Sequence, residues 1–267
     1  MALPTADTIA IASVANLRDV GGHSTRDGGR VRTGLLWRSA ELDHVSAADA
    51  PALERLGIRT VFDLRTEDER VARPDRVPAG ATYRVADVLS GAPGDSPAAM
   101  QRTFADPVAA TRAFGDGRGV AFFRGVYRDL VVLDSARAAY GTVFQGLVGS
   151  AGRPALIHCT TGKDRTGWAA AALLLLLAVP AEVVMEDFLA STRALGPALQ
   201  PFLDAFEARG GDPEVLRPLV GVHPEYLEIA MSEMSRAFGS IDGYFADGLG
   251  LDAAARRTLR TAFVEPG

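Results

Sequence analysis

The stretch His158-Cys159-Thr160-Thr161-Gly162-Lys163-Asp164-Arg165-Thr166-Gly167 decides how this chain reads. Before it, Pro154-Ala155-Leu156-Ile157 is a short apolar run opened by a proline, which reads as a strand ending at His158. After it, residues 169–179 are apolar throughout yet far short of the roughly 20 residues a membrane span needs, so they read as a buried helix. A loop from a strand's carboxyl end into a helix's amino end gathers backbone N–H groups under the positive end of the helix dipole, a ready site for an anion. Gly162 lets such a loop turn where a Cβ would obstruct. Arg165, six residues beyond Cys159, is placed to fold back and offer a two-pronged fork to phosphate oxygens. The same field favours the thiolate of Cys159, a nucleophile beneath the bound phosphate. Together these parts predict in-line attack of sulfur on phosphorus. The cysteinyl-phosphate so formed would be steadied by the amides of Thr160, Thr161, Gly162, Lys163, Asp164 and Arg165 and by the Arg165 side chain, and then hydrolysed by water. Thr166 is placed to donate to the sulfur as it leaves. The chemistry calls for no metal and no other cofactor.

Composition sets the bounds on partners. The 267 residues carry 28 basic and 33 acidic side chains, a net charge of -5, whereas a nonspecific nucleic-acid binder would show a basic face. Phosphate recognition must be local, and no nucleic-acid partner is expected. The expected partners are a phosphorylated protein or a phosphoinositide, with a phosphate or sulfate ion suited to the loop itself. Cys159 is the only cysteine, which excludes an intramolecular disulfide framework, and the histidines His23, His44, His158 and His223 stand at no zinc-ligand spacing. Lys163 is the only lysine, four positions from that cysteine. The start, MALPTADTIAIASVANLRD, has no basic segment leading an apolar run, unlike a secretory signal, and the expectation is a cytoplasmic protein without an integral membrane segment.

Short apolar runs at 34–38, 59–65, 81–85 and 154–158 are bounded by glycine, proline or charge and read as strands. Helical patterns lie between them. Ser46 is placed to cap a helix running to about Leu56, which Gly57 stops. The alternation predicts an α/β fold with a central, mostly parallel sheet flanked by helices. Residues 90–97, SGAPGDSP, break the pattern; 98–114 are helix-like, and Gly-Asp-Gly-Arg-Gly follows at 115–119. This insertion, about 90–125, reads either as a helical lid with Phe104, Phe114, Phe122 and Phe123 facing inward or as an ordinary surface helical pair. Beyond Pro180 the chain reads as wholly helical: Leu227, Ala230, Met231, Met234 and Phe238 fall on one helix face, and a shorter helix spans 251–263. With no internal repeat, 1–267 reads as a single domain whose part from 181 on is helical.

Rival loops fit less well. A Walker-type loop would need glycine at 157 and Ser or Thr after Lys163, where the chain has Ile157 and Asp164. A rhodanese-like sulfurtransferase also sets a cysteine in a strand-to-helix anion loop, and a noncatalytic phosphate-binding module is the other rival. The joint presence of His158, Cys159, Arg165 and Thr166 favours phosphate chemistry over both.

On His158-Cys159, five residues, then Arg165-Thr166, the chain resembles the protein tyrosine phosphatase superfamily of cysteine phosphatases. The likeness is fullest to the atypical bacterial branch that includes a secreted mycobacterial protein tyrosine phosphatase, whose loop also carries Gly-Lys-Asp-Arg-Thr-Gly. Segments 16–20, 37–42, 63–65 with Glu69, 187–189, 221–227 and 240–244 extend it along nearly the whole chain. The resemblance implies the cysteine-phosphatase fold with a helical lid, and activity on phosphotyrosine and, in some members, phosphoserine, phosphothreonine or phosphoinositides. It implies Cys159 as nucleophile, Arg165 as phosphate-binding arginine, and Lys163 and Asp164 as the loop charges that mark the branch. Thr160 and Thr161 replace a more apolar pair and the lid region is shorter, which leaves substrate preference open; a secreted relative leaves export open. For the proton donor Asp87 comes first, because it follows the 81–85 strand where the family has a Pro-Asp step. Asp164 is second, since Lys163 and Arg165 should keep it ionised. Asp63 is third and is more simply read as a strand-end ion pair with Arg18 or Arg38.

Overall fold

The computed structural model describes residues 11–90, 103–150 and 152–267. In it the four expected runs pair into one sheet. In chain order the strands are β1 (Arg18–Asp19), β2 (Arg30–Val31), β3 (Leu36–Ser39), β4 (Thr60–Asp63), β5 (Thr82–Val85), β6 (Ala155–His158) and β7 (Val264–Glu265). The main sheet runs β1-β3-β6-β4-β5; its β1–β3 pair is antiparallel and its other three pairs are parallel. The remaining strands, β2 and β7, form an antiparallel pair of their own. In β3, β4 and β6 alternate side chains feed two cores, which is why these runs are largely apolar, whereas β5, at the sheet's edge, is exposed. Trp37, Leu156 and Val61 stand in register and point into a small cluster with Leu42, Leu53 and Ile58, while Leu36, Ile157 and Phe62 point into a larger one.

The helices are α1 (Ala50–Glu54), α2 (Glu67–Ala72), α3 (Pro107–Phe114), α4 (Arg118–Val132), α5 (Asp134–Gly149), α6 (Arg165–Leu176), α7 (Ala181–Glu207), α8 (Pro213–Val220), α9 (Pro224–Phe238) and α10 (Ala253–Phe263). A short turn, Ile241–Gly243, and a π-helical turn, Tyr244–Gly248, separate the last two. The expected buried helix is α6, in which Leu175 alone escapes full burial and Trp168 Nε1 donates to the Tyr244 hydroxyl at 2.9 Å. Among the described residues no helix is long and apolar enough to cross a membrane.

Four expectations are corrected. Ser46 does not cap α1: the helix opens at Ala50 with Asp49 at the cap, because Pro51 lacks an N–H and fits only a helix's first turn. The Ser46 hydroxyl instead closes a turn by accepting from Asp49 N, and Gly57, at φ +67°, does end the segment. In the insertion, 91–102 lie outside the described residues, and the run to Phe114 breaks at Asp106, whose carboxylate accepts from Val108 N and Ala109 N to start α3 afresh. Phe104 and Phe123 are buried there, but Phe122 is 38% exposed, so the four rings do not share one inward face. The segment beyond Pro180 is helical except for β7.

Asp63 is paired, but with Arg65 rather than Arg18 or Arg38. The fully buried Arg65 guanidinium donates to Asp63 Oδ2 at 2.8 Å, Asp75 Oδ2 at 2.6 Å, Glu41 Oε2 at 2.9 Å and Arg73 O at 2.8 Å. The Tyr83 hydroxyl adds a 2.6 Å bond to Asp63. Burial alone would raise the Asp63 carboxyl; the hydrogen bond from Arg65, the His158 ring and Tyr83 outweigh it and hold the group below the usual carboxylate range. Ligand-type atoms of Asp63, Asp75 and His158 lie within 4.8 Å of one another, yet Arg65 already supplies the cation between the two carboxylates, so the group is an ion-pair network. Arg65→Met should cost about 3–5 kcal/mol at neutral pH by stranding buried carboxylates. Unpaired, those carboxyls would titrate above their unfolded values, so the deficit relative to wild type should shrink as pH falls toward about 4.5. Urea midpoints at the two pH values check this, and an equal deficit at both would contradict it.

Candidate active site

The end of β6 delivers Cys159, and α6 begins at Arg165, so residues 159–164 span the gap as the sequence predicts. Every carbonyl from Cys159 to Gly162 is held from outside this loop. Thr160 O accepts from Glu41 N at 3.2 Å, Thr161 O from Asn16 Nδ2 at 3.0 Å and Gly162 O from Arg38 Nη2 at 2.8 Å. His158 Nδ1 stands 3.2 Å from Cys159 O, the contact its Nδ1-protonated tautomer would make. In a planar trans peptide the N–H points opposite to the C=O, so the amides of Thr160 through Lys163 turn toward the inner side. Oriented amides of this kind form an anion-binding concavity. Gly162 has φ +68°, and a Cβ there would lie 2.2 Å from Ser39 O, so only glycine lets the loop approach β3 so closely.

Arg165 is oriented by a residue the sequence reading did not place in the site. Glu69 accepts from Arg165 Nη1 at 2.7 Å and Nη2 at 2.8 Å, and also from the Thr160 hydroxyl. Glu69 is itself fixed by a capping box at the start of α2, where Thr66 N donates to Oε2 at 2.9 Å and Glu69 N donates back to the Thr66 hydroxyl at 3.4 Å. Burial would raise the Glu69 carboxyl, but the Arg165 guanidinium and the Thr160 hydroxyl hold it down to about 2. The expected two-pronged fork is thus turned to Glu69 on two of its N–H groups, while Arg165 still lines the cavity above the loop.

The two loop charges neutralise each other. Lys163 is 3% exposed, its Nζ lies 2.8 Å from Asp164 Oδ2, and it sits 4.6 Å over the centre of the Phe123 ring. Asp164 Oδ1 also accepts from the Tyr127 hydroxyl at 2.7 Å. Burial pushes the Tyr127 and Tyr140 phenols well above their ordinary values, so both stay protonated donors; Tyr140 bonds Arg165 O at 3.1 Å. Behind the loop, Arg38 Nη1 reaches Asp187 Oδ2 at 2.7 Å and Arg18 Nε reaches Oδ1 at 3.0 Å, which anchors α7 to β1 and β3. Burial and the nearby Arg18 charge pull Arg38 down to about 10 against the pull of Asp187, and it remains a cation at neutral pH. The Thr166 hydroxyl is buried with no hydrogen-bond partner among the described residues.

A cavity of about 560 Å³ opens over the loop. Thr160, Thr161, Lys163, Asp164 and Arg165 line its base. Phe104, Phe123, Leu195, Leu199, Phe202 and Leu219 make an apolar wall, and Glu41, Asp43, His44 and Arg73 belong to its polar lining. Asp87 follows β5 by two residues and is not among the lining residues. Its Oδ1 accepts from Leu89 N at 3.1 Å, its Oδ2 lies 3.6 Å from Arg70 Nη1, and burial raises its carboxyl against both contacts. Of the missed residues, Glu69 had a local signal in the Thr66-x-x-Glu69 capping pattern; Asn16, Arg38 and Glu41 fall in segments that carry the family resemblance but had no spacing to tie them to the loop, and Tyr127, 37 positions away, had no signal.

The chain was compared with known proteins. Residues 9–265 match the model of the tyrosine phosphatase family. A Cupriavidus necator protein named as a tyrosine-protein phosphatase is 34% identical over 253 residues, covering 93% of this chain and 86% of the relative. The triple specificity protein phosphatase PtpB of Mycobacterium tuberculosis is 29% identical over 269 residues, covering 92% and 95%. Among solved structures, that of P. aeruginosa TpbA is similar at 19% identity and TM-score 0.35, over 77% of this chain and 91% of that one. A family match across all but the two ends of the chain, reached independently by a relative above 30% identity, makes this protein a member of the tyrosine phosphatase family and a phosphoric monoester hydrolase.

Proposed function

We propose that this phosphatase acts as a single domain on phosphotyrosyl esters, without a metal, through a cysteinyl-phosphate at Cys159. The observation that carries the reading is the outward tethering of all four carbonyls from Cys159 to Gly162, which turns the amides of Thr160 to Lys163 inward in the loop between the buried Cys159 and Arg165. The Cys159 thiolate attacks phosphorus, the P–O bond to the leaving group breaks, and the ester oxygen takes a proton from a carboxylic acid. The amides and Arg165 hold the three equatorial oxygens. Water then attacks phosphorus and gives a proton back to that carboxylate, the P–S bond breaks, and inorganic phosphate leaves while sulfur regains its charge. Phosphotyrosine is favoured over a polyphosphoinositide because Lys163 is buried and paired with Asp164, so no free ammonium beside the cradle awaits a second phosphate.

Two carboxylates divide the requirements for the acid. Asp164 lines the base of the cavity beside Arg165. Asp87 has the burial-raised carboxyl and lies near enough to feel the Arg165 charge, though, like Cys159, it is not among the residues that line the cavity. We assign the donor to Asp164, with Asp87 as the second reading.

Turnover of p-nitrophenyl phosphate in EDTA, blocked by vanadate, is the expected result; a noncatalytic module would release no product and a sulfurtransferase would instead make thiocyanate from cyanide. Cys159→Ser should lose at least about 1,000-fold in rate while still binding phosphotyrosyl ligand, and a variant at wild-type rate would remove Cys159 as nucleophile. A panel of phosphotyrosyl, phosphoseryl and phosphatidylinositol phosphate substrates should rank the first highest.

Asp164→Asn should slow alkyl phosphates about 100-fold or more and aryl phosphates with good leaving groups much less. If Asp87→Asn shows that pattern and Asp164→Asn does not, the donor is Asp87.

A further inference from the structure

The cavity's polar lining holds one carboxylate that the ion-pair networks leave over. Glu69 is taken by Arg165, Asp164 by Lys163, and Glu41 by Arg73 and Arg65 at 2.9 Å each. Asp43 lines the same cavity with a side chain only 7% exposed, and its Oδ1 is buried without a hydrogen-bond partner among the described residues. Its other oxygen meets only His44 Nε2 at 3.2 Å, from a ring that is 83% exposed and easily turned aside. Asp43 and Glu41 also lie near enough for the Asp43 charge to raise the Glu41 carboxyl, after burial and against Arg73. The Asp43 charge is thus met only at Oδ2, by a neighbouring ring that is largely exposed, and a guanidinium or ammonium brought by the substrate would take the place of that ring.

From this geometry we infer that Asp43 forms a cation subsite for a lysine or arginine flanking the phosphotyrosine of a protein substrate. The inference rests on the phosphotyrosyl reading above and narrows it. Asp43 stands on the polar lining, Phe123 and Phe202 on the apolar one, and the phosphate loop at the base, so a peptide seated by its phosphate lays one flank beside Asp43. The phosphate brings two negative charges to a lining whose own cations are already paired, so a further anion is repelled there and a cation is drawn in.

The test uses phosphotyrosyl peptides of an alanine background in which arginine, alanine or glutamate is placed in turn at each of the two positions on either side. At one flanking position or more, arginine should exceed glutamate by about tenfold in kcat/KM at low salt, and the ratio should shrink at high salt as the charges are screened. Asp43→Asn should bring the ratio at that position to about twofold or less, and Asp43→Lys should invert it in favour of glutamate, an outcome that misfolding cannot produce. Equal rates for arginine and glutamate peptides, or a ratio that survives Asp43→Asn, would overturn the subsite. Wild-type turnover of p-nitrophenyl phosphate, which has no flank, separates the two claims: turnover without peptide discrimination defeats the subsite alone, whereas no turnover defeats the phosphatase mechanism and the subsite with it.

Discussion

Peptide N–H groups do not converge on one point unless something turns their carbonyls away, and the rest of this structure depends on that constraint. Between Cys159 and Gly162 the holding groups come from four places: the His158 ring, the backbone of Glu41, the Asn16 amide and the Arg38 guanidinium. A loop built this way carries its anion-binding shape in the fold, so a ligand need not pay to organise it. Gly162 belongs to the same device, because only a residue without a Cβ brings the chain against Ser39 where Arg38 can reach its carbonyl.

One of the groups that hold the loop, Arg38, is charged and fully buried, and other buried ion pairs surround it. Arg38 and Arg18 share Asp187, Arg165 holds Glu69, and Arg65 gathers Glu41, Asp63 and Asp75. Buried pairs of this kind contribute little net stability over apolar packing, but loss of one partner is severe. Their value here is positional. Asp187 lies on α7, the helix whose later residues Leu195, Leu199 and Phe202 wall the cavity, so the phosphate loop and the cavity wall share an anchor.

The parallel strands and the strand-to-helix loop were legible because each has a local signature: apolar runs bounded by breakers, and a cysteine, a glycine and an arginine at fixed spacing between a strand and a helix. The holding residues were not. A side chain that donates to a distant backbone carbonyl leaves no spacing to find, and Asn16 lies 145 positions from Thr161. Glu69 was half visible: the family resemblance includes it, but nothing in the sequence says that its carboxylate meets Arg165. Strands β1, β2 and β7 have two residues each, too few for alternation to register. Pro51 overrode Ser46 in setting the start of α1, a case where backbone chemistry outweighed side-chain preference.

Lys163 is the chain's sole lysine, and it is enclosed beneath the Phe123 ring in contact with Asp164. The molecular surface therefore offers arginine as its only long basic side chain. Acetylation, ubiquitin attachment at a side chain, or labelling with amine-reactive dyes and cross-linkers would find no exposed ε-amine, and any reagent that reached this one would have to open the loop between β6 and α6 first.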